Sequence, residues 1–328
     1  MLLNGCMQSA DDFAADINQH MPKPLDVVCF GVLFSLRVAI VEEYPRADSG
    51  AEILSLIQLI GADAPITSLI LDRLGCRVGL ISNDVGDEPD GRELLDRLTR
   101  TGIVATVTLL GDMSTPLGLT VVDRDGHSTW FLFLSNAVES LLTVDLSLVG
   151  ETDILYVDAY PQTWQASVRA IDCAIELRVP IIVNLSDHMP NKELERHLQQ
   201  GVSVIQRSAA GQSIEQASEM AQTSFDSYSA SLSVITMGRR GVIYTNHSGT
   251  YYLPAHVVEV ANTTGAGAAF SAGLTFGRVQ SWPDDEVVAF ANALAGLYCS
   301  VPNGLSRFSA REVIEFAASR GLQLAKLW

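Results

Sequence analysis

The second half of the chain alternates short apolar strands with helical segments, and this order constrains the fold more than any other feature. From Ile154 onward the runs ILYVDA, PIIVNLS, VSVIQ and LSVITMG are separated by stretches with helical spacing. Parallel neighbouring strands need long crossover connections, and helices usually supply them. The pattern therefore predicts an α/β fold with a mainly parallel central sheet and helices on both faces.

The first half has a different character, because it is rich in strands that lie close together in sequence. Asp26–Gly31 is predicted as a first core strand and Arg37–Glu43 as a more exposed one. Three further strand-like runs fill Ala105–Leu134, and Asp123-Arg124-Asp125-Gly126 is a hairpin signal between the last two. These runs predict a smaller β element attached to the main sheet.

Composition fits one large α/β domain, since 48% of the 328 residues are hydrophobic and only 18% are charged. The net charge of −17 argues against nucleic acid or an anionic membrane surface as a partner. No apolar run is long enough for a membrane span, and the start of the chain lacks the features of a secretion signal. The five scattered cysteines predict free thiols. We expect a cytoplasmic protein.

The segment VVEVANTTGAGAAFSAGLTFG, residues 257–277, is predicted to form a strand, a tight turn and a helix. The turn is Thr263–Gly267 and the helix continues through Ala268–Phe276. Such an arrangement directs several backbone N–H groups to one point, which suits a phosphate group. We call Thr264–Gly267 the anion cradle.

The same segment resembles the closing signature D-T-x-G-A-G-D-A-F of the ribokinase-like (PfkB) sugar and nucleoside kinases. The resemblance implies an anion hole formed by Gly265, Ala266 and Gly267. It also implies that the second Asp of the signature is the general base, but this chain has Ala268 there and Asn262 at the first Asp. A methyl group cannot accept a proton, so the catalytic position is occupied by a residue that cannot act as the base.

Other stretches extend the resemblance over nearly the whole chain. VGD at 85–87 with Gly91 is similar to the family's VGDDxxGxxLL stretch, and TMGRRG at 236–241 is similar to its TxGxxG turn. The resemblance implies ATP or ADP with Mg²⁺ as cofactor. It implies a nucleotide site that includes Thr236, Gly238, Gly241, Thr264 and Asn292.

The resemblance also implies a ribokinase-like three-layer fold with a small β lid. The domain boundaries that follow are an N-terminal extension at 1–25 and an α/β domain at 26–328, with lid segments at about 36–51 and 105–134. Because the lid strands carry apolar residues on both faces, we expect a homodimer that forms through the lid.

The metal stretch N-x-x-E of the family should follow the strand VSVIQ, but Arg207–Gly211 has no carboxylate. No metal-binding residue is predicted. Arg207 has two interpretations that the sequence does not separate: it lies over an anionic group, or it is a solvated surface residue.

The positions that hold the sugar in the family are mostly replaced. They correspond to Leu36, Gly61, Asp63 and Ile66, and only Gly61 retains the family residue. Asp63 is interpreted as an N-cap of the following helix, with a hydroxyl-binding role as the alternative. His188, after a parallel strand, is interpreted as a loop residue with a ligand-site role as the alternative.

Two functional hypotheses follow from these residues. In the first, the protein is a PfkB carbohydrate kinase-like phosphotransferase with weak or absent activity, because its base position is Ala268. In the second, it is a non-catalytic nucleotide- or ligand-binding protein, a pseudokinase with a regulatory role. A different reaction on a nucleotide or phosphorylated ligand is a third possibility. The ligand expected in each case is a small molecule: a nucleotide, with a sugar or a less polar compound beside it.

Overall fold

The computed structural model describes residues 23–124, 127–134, 136–209, 211–302, 308–320 and 325–326. Most of the predicted N-terminal extension lies outside the described residues, as do Cys6 and the Asp125-Gly126 pair of the hairpin signal. No helix in the described part of the chain has the length and hydrophobicity that a membrane span needs.

Strands and helices alternate along the described chain. The strands are β1 (Leu25–Phe30), β2 (Phe34–Val41), β3 (Ile53–Gly61), β4 (Val78–Ile81), β5 (Val85–Gly86), β6 (Val104–Ala105), β7 (Leu109–Leu110), β8 (Leu117–Val122), β9 (Ser128–Phe133), β10 (Thr152–Asp158), β11 (Ile181–Asn184), β12 (Val204–Ser208), β13 (Leu232–Thr236), β14 (Val242–Asn246), β15 (Gly249–Leu253) and β16 (Ala325–Lys326). The helices are α1 (Asp63–Arg73), α2 (Pro89–Thr99), α3 (Ala137–Thr143), α4 (Trp164–Glu176), α5 (Lys192–Leu198), α6 (Ile214–Tyr228), α7 (Ala266–Val279), α8 (Asp284–Cys299) and α9 (Ala310–Arg320).

The central sheet has the strand order β16-β15-β14-β13-β12-β11-β10-β1-β4-β6. Every pair from β6 to β13 is parallel, and the pairs from β13 to β16 are antiparallel. The middle strands are buried on both faces, as the continuous apolar run of β1 requires. The predicted fold class, a mainly parallel sheet covered by helices, is confirmed.

A second sheet of four strands, in the order β3-β2-β8-β9, forms the lid. Its bounds differ from the predicted segments, because β3 lies beyond the predicted segment 36–51. Within the predicted segment 105–134, the short strands β6 and β7 pair outside the lid, with β4 and β5. The sequence analysis assigned the end of β3 to the expected sugar-binding turn and did not predict a strand there.

The segment VVEVA is not a strand, contrary to the prediction. Strand β15 ends at Leu253, and residues 254–260 have no regular structure. Val257 is 84% exposed and Val260 is 59% exposed. β-branched residues favour strands only where a neighbouring strand offers pairing and packing, and both edges of β15 are already paired with β14 and β16.

Three strands of the lid pack closely around one aromatic ring. Phe34 lies against the backbones of Gly61 in β3 and Gly118 in β8, and a Cβ atom at Gly118 would lie 2.5 Å from the ring. A Cβ at Gly61 would meet the same ring. Larger residues at these two positions would displace Phe34, so the glycines fix how closely the three lid strands approach at this end.

Candidate functional site

The anion cradle is a turn whose shape depends on one glycine. Gly265 has a φ of +87°, in the left-handed region, and a Cβ atom there would lie 2.5 Å from the Tyr298 hydroxyl oxygen. That hydroxyl donates a hydrogen bond of 3.1 Å to the carbonyl oxygen of Thr264. Any other residue at position 265 would strain the backbone and push Tyr298 away from the loop.

Helix α7 begins inside the cradle without a side-chain cap. Its first residue is Ala266, after Gly265 at the N-cap position, and the amide of Thr264 is held by the side-chain oxygen of Asn262 at 3.0 Å. The first-turn amides, including those of Gly267 and Ala268, have no acceptor within the helix. Together with the positive end of the helix dipole, they favour an anion at this point.

Ala268 is fully buried and serves packing. Its methyl group lies in the interface between α7 and α1, and its carbonyl oxygen accepts a hydrogen bond of 3.2 Å from the Thr67 hydroxyl. The position that carries the base in the family signature therefore has no group that could accept a proton.

Asp63 supplies a carboxylate at the cradle from a different helix. A Cβ atom built on Gly267 would lie 4.0 Å from Asp63 Oδ2, and the same oxygen accepts a hydrogen bond of 3.0 Å from Asn184 Nδ2. Burial raises the pKa of the Asp63 carboxyl to about 6, although the Asn184 hydrogen bond opposes the shift.

The N-cap interpretation of Asp63 is wrong. Helix α1 starts at Asp63 itself, its N-cap residue is Ala62 with a φ of +78°, and no side chain caps it. Because Ala62 holds this left-handed conformation, the chain enters the helix one residue earlier than the capping pattern suggests. The Asp63 carboxylate instead accepts its hydrogen bond from Asn184, on a neighbouring strand.

A second carboxyl group, Asp158 at the end of β10, was not identified from the sequence. It is 1% exposed, it accepts backbone hydrogen bonds from Asp63 and Ala64, and its Oδ2 atom has no partner among the described residues. Burial first, and then the Asp63 charge, raise the pKa of Asp158 well above its ordinary value. Because the two buried carboxyl groups lie this close, ionisation of either one disfavours ionisation of the other. An acidic residue at the carboxyl end of a buried strand was the available signal.

A cavity of about 280 Å³ opens between the lid and the cradle, and we call it the acceptor cavity. Leu36 and Ile66, each 5% exposed, give it apolar walls. Its remaining lining residues include Phe34, Asp63, Trp130, Tyr160, Ser186, His188, Thr264, Gly265 and Gly267. The structure thus brings three of the four predicted sugar positions to the cradle, whereas Gly61 lies beneath Phe34.

His188 lines this cavity with its side chain 31% exposed, and its Nε2 atom lies 3.4 Å from Asp187 Oδ1. Tyr160, next to the buried strand end, presents a phenol whose pKa burial raises well above its ordinary value. These two groups add to a lining that combines the apolar Leu36 and Ile66 with the hydroxyl groups of Thr120, Ser128 and Ser186.

The residues predicted to flank a nucleotide meet at the end of β15. A Cβ atom at Gly241 would lie 2.7 Å from the Pro254 carbonyl carbon, and Asn292 Nδ2 donates a hydrogen bond of 2.8 Å to the Pro254 oxygen. Gly238 opens the same turn with a φ of +57°. The Thr236 hydroxyl donates a hydrogen bond to the Arg207 carbonyl oxygen at 3.3 Å. None of these four residues lines the acceptor cavity.

The described residues do not fit a protein-held metal ion. Among them, no three His, Cys, Asp or Glu side chains lie close enough together to bind one. In the stretch where the family resemblance implies a metal-organising carboxylate, residues 207–211, the chain has none, and Arg207 in that stretch is 7% exposed. A Mg²⁺ ion held mainly by nucleotide phosphates and water, with one or two carboxylates, does not need such a cluster.

Comparison with known proteins identifies the family of this chain. Residues 67–309 match the model of the pfkB family of carbohydrate kinases. This stretch includes helix α1 from Thr67 onward, strands β10 and β11, and the cradle. The chain belongs to the pfkB family. It is 22% identical to the ribokinase of Haemophilus influenzae over an alignment of 264 residues. The alignment covers 74% of this chain and 82% of that protein.

Solved structures of pfkB relatives share the fold. The crystal structure of a putative ribokinase from Agrobacterium tumefaciens superposes with a TM-score of 0.77 at 19% identity, covering 90% of this chain and 98% of the other. The ribokinase of Arabidopsis thaliana, solved with ribose and ATP, gives a TM-score of 0.73 at 15% identity, covering 89% and 98%. At these identities, the likeness of the solved structures concerns the fold alone.

Proposed function

We propose that this protein is a phosphotransferase that transfers a phosphoryl group slowly from ATP to a hydroxyl group, with Asp63 as the general base. Family membership supports the reaction class. The position of Asp63 supports the residue assignment. The acceptor is a molecule with an apolar or aromatic body and few hydroxyl groups, bound between the lid and the cradle.

The position of the Asp63 carboxylate beside Gly267 carries the proposal. A carboxylate beside the cradle is positioned to take a proton from an acceptor hydroxyl whose oxygen points at the bound phosphate. With a pKa raised to about 6, Asp63 is mostly ionised at pH 7 and is a stronger base than an ordinary aspartate. The proton-accepting role has, in this proposal, moved from α7 to the facing helix α1.

In the reaction, the first-turn amides of α7 hold the oxygens of the transferring group, where negative charge is spread. The acceptor oxygen attacks the γ-phosphorus, its proton passes to Asp63 Oδ2, and the bond from the γ-phosphorus to the bridging oxygen of ADP breaks. Asn184, which donates a hydrogen bond to Asp63 Oδ2, orients the carboxylate.

The walls of the acceptor cavity support the acceptor class. A sugar entering this cavity would lose hydrogen bonds to water against Leu36 and Ile66, which are buried and cannot replace them. Trp130, 54% exposed, offers a flat surface on the lid side of the cavity. An aromatic or partly apolar alcohol would be favoured over a polyol by these contacts.

A second candidate function is non-catalytic binding of a nucleotide or phosphorylated ligand, as in a pseudokinase. One observation favours it: Ala268, at the family base position, is fully buried and its carbonyl is engaged by Thr67. In this case Asp63 would bind the ligand, or it would stabilise the buried carboxyl pair that it forms with Asp158.

The experiment is a phosphoryl-transfer assay with Mg-ATP and a panel of sugars, nucleosides and aromatic or partly apolar alcohols. It compares the natural protein with Asp63→Asn and, as a matched control, Asp112→Asn, an exposed aspartate that lines neither cavity. We expect transfer to an apolar alcohol, a loss of about 10²–10⁴-fold in Asp63→Asn, and little change in Asp112→Asn. Nucleotide binding without transfer to any acceptor would favour the non-catalytic function, and equal rates in Asp63→Asn would exclude Asp63 as the base.

The lid supports a homodimer as part of the proposed function. On the face of the lid that carries Leu119 and Arg37, the edge strands present Leu56, Phe131 and Phe133, which are 59%, 51% and 60% exposed. In the proposed homodimer, the lid of a second copy covers this apolar surface. Because its proposed phosphate donor is ATP, we also propose that the protein acts in the cytoplasm.

A further inference from the structure

Arg207 is a buried cation without a carboxylate partner among the described residues. It lies near the carboxyl end of β12 with 7% of its surface exposed, and its Nε atom is buried without a hydrogen-bond partner in the described chain. Its Nη2 atom donates to Met189 Sδ at 2.9 Å, and a thioether is a weak acceptor. Burial lowers the pKa of Arg207, which shows that the charge is poorly compensated.

The environment of Arg207 differs from that of many arginines in the described part of the chain. Among the described residues, eight arginines each pair with a carboxylate: Arg37, Arg77, Arg92, Arg97, Arg100, Arg124, Arg278 and Arg311. The chain has 38 acidic residues, so carboxylates are plentiful. A buried guanidinium that lacks such a partner is costly unless a ligand supplies the anion.

Arg207 lines a large cavity that adjoins the acceptor cavity. This second cavity has a volume of about 1,140 Å³, and we call it the Arg207 cavity. Ser128, Trp130, Ser186 and Thr263 line both cavities, so they form one continuous space. Thr263 begins the turn that forms the cradle, which places the Arg207 cavity at the cradle's entrance.

The other charged groups of the Arg207 cavity lie on its open side. Asp187 has a side chain that is 72% exposed and faces His188, and Glu219 is an exposed residue of α6. Neither forms an ion pair with Arg207 in the described structure. Hydroxyl and amide groups of Ser186, Ser208 and Gln212 complete the polar lining.

We propose that Arg207 binds a phosphate group of the nucleotide directly, so that a polyphosphate extends from the cradle to Arg207 and binds without a divalent cation. The inference deepens the proposed function, because it concerns the nucleotide of the same site. A guanidinium offers two parallel N–H donors that match a phosphate, and Arg207 begins the stretch in which the family resemblance implies a metal-organising carboxylate that this chain lacks. Met189, 65% exposed and flexible, can move aside when the phosphate arrives.

The test measures binding of pyrophosphate and ADP to the purified full-length protein by calorimetry, once with excess Mg²⁺ and once with EDTA. We expect the dissociation constants in EDTA to stay within about threefold of those with Mg²⁺. Arg207→Gln should weaken both probes by about 10- to 100-fold, the range expected for a charge-assisted hydrogen bond. Arg207→Lys should lose less, and Arg100→Gln, a paired exposed arginine on the C-terminal side of α2, should lose nothing.

A thermal-shift measurement covers the case in which a variant folds poorly. Removing an uncompensated buried charge should leave the melting temperature of ligand-free Arg207→Met equal to or above that of the natural protein. Saturating pyrophosphate should then raise the melting temperature of the natural protein but not that of the variant.

The outcomes separate this inference from the proposed function. Binding that survives EDTA and depends on Arg207 supports the inference even if no phosphoryl transfer occurs. Binding that requires Mg²⁺, binding that is unchanged in Arg207→Gln, or no binding of either probe overturns it, even if transfer is observed.

Discussion

Asn184 Nδ2 donates a hydrogen bond of 3.0 Å to Asp63 Oδ2, although the two residues are 121 positions apart in the sequence. Asn184 ends strand β11 and Asp63 begins helix α1, so the bond joins the central sheet to the helix that faces the cradle. The hydrogen bond favours the ionised form of the Asp63 carboxyl group, whereas burial raises the pKa of that group. The chemistry proposed for this protein depends on that carboxylate.

The pH dependence of transfer should report Asp63. The carboxylate acts as a base only when ionised, and its pKa is raised to about 6, so kcat/KM should fall as the pH drops through about 6. An ordinary aspartate would give this decline about two pH units lower. The measurement is a pH–rate profile from pH 4.5 to 8 with the best acceptor. A profile that is flat down to pH 5 would contradict the assignment.

The stability of the protein should respond to the same group. The folded-state pKa of Asp63 exceeds its ordinary value of 3.8, so the folded state binds more protons between about pH 4 and 6 and loses stability as the pH rises through that window. Asp63→Asn removes the cost of the buried charge. At pH 7 the variant should gain about 1–3 kcal/mol in unfolding free energy over the natural protein, and at pH 4 the gain should vanish. Urea unfolding at both pH values measures this, with Asp187→Asn as the exposed control.

Gly265→Ala should destabilise the protein and weaken nucleotide binding. The substitution places a Cβ atom 2.5 Å from the Tyr298 hydroxyl at a φ of +87°, which should cost about 1–3 kcal/mol. Gly111→Ala is the matched control, because a Cβ there would meet nothing within 4 Å. Adding Tyr298→Phe removes the contacted oxygen and should recover part of the loss. Thermal unfolding that is the same for all variants would contradict the described shape of the cradle.

Ala268→Asp should not restore a sugar kinase. The site is fully buried against α1, so the added carboxylate should lower stability by about 2 kcal/mol or more. The acceptor cavity would still present Leu36 and Ile66 to a sugar. The assay uses Mg-ATP with ribose, fructose and nucleosides, and Ala268→Ser serves as the control for added polarity. Rapid turnover of a sugar by Ala268→Asp alone would show that the sugar site is intact. Turnover that appears only after Leu36→Asp and Ile66→Asn are added would support gradual loss of a former kinase.

The exposed aromatic residues of the lid should hold the proposed dimer together. Phe133→Asp places a charge on the apolar lid surface and should convert the dimer into a monomer at micromolar concentration. Ile314→Asp, on α9 and 49% exposed, is the control outside the lid. Sedimentation velocity distinguishes the species, and a natural protein that sediments as a monomer would refute the dimer.

The fold could be predicted because its signals are local. Each buried strand of the central sheet is a short β-branched run, and each run is bounded by helices with their own periodicity. The segment VVEVA has the same composition but remains unpaired, because both edges of β15 are already occupied. Composition shows that a segment can form a strand, whereas pairing also requires a neighbouring strand with an unpaired edge.

The site could be predicted only in part, for a related reason. The cradle is contiguous in sequence, so its glycines and the loss of the base at Ala268 are visible in one segment. Asp63, Asp158 and Asn184 come from three separate elements, and only the tertiary structure places them together. The sequence also left Arg207 between two interpretations, and its burial excludes the solvated surface residue.

The hydrogen bond from Thr67 to the carbonyl of Ala268 spans 201 positions of the chain. Closing so long a loop costs conformational entropy before the contacts that stabilise it have formed. Folding is therefore slower for contacts of high sequence separation. We therefore expect the two helices that carry the carboxylate and the cradle to pack together late in folding. The nucleotide binding proposed above should accordingly appear only late in refolding.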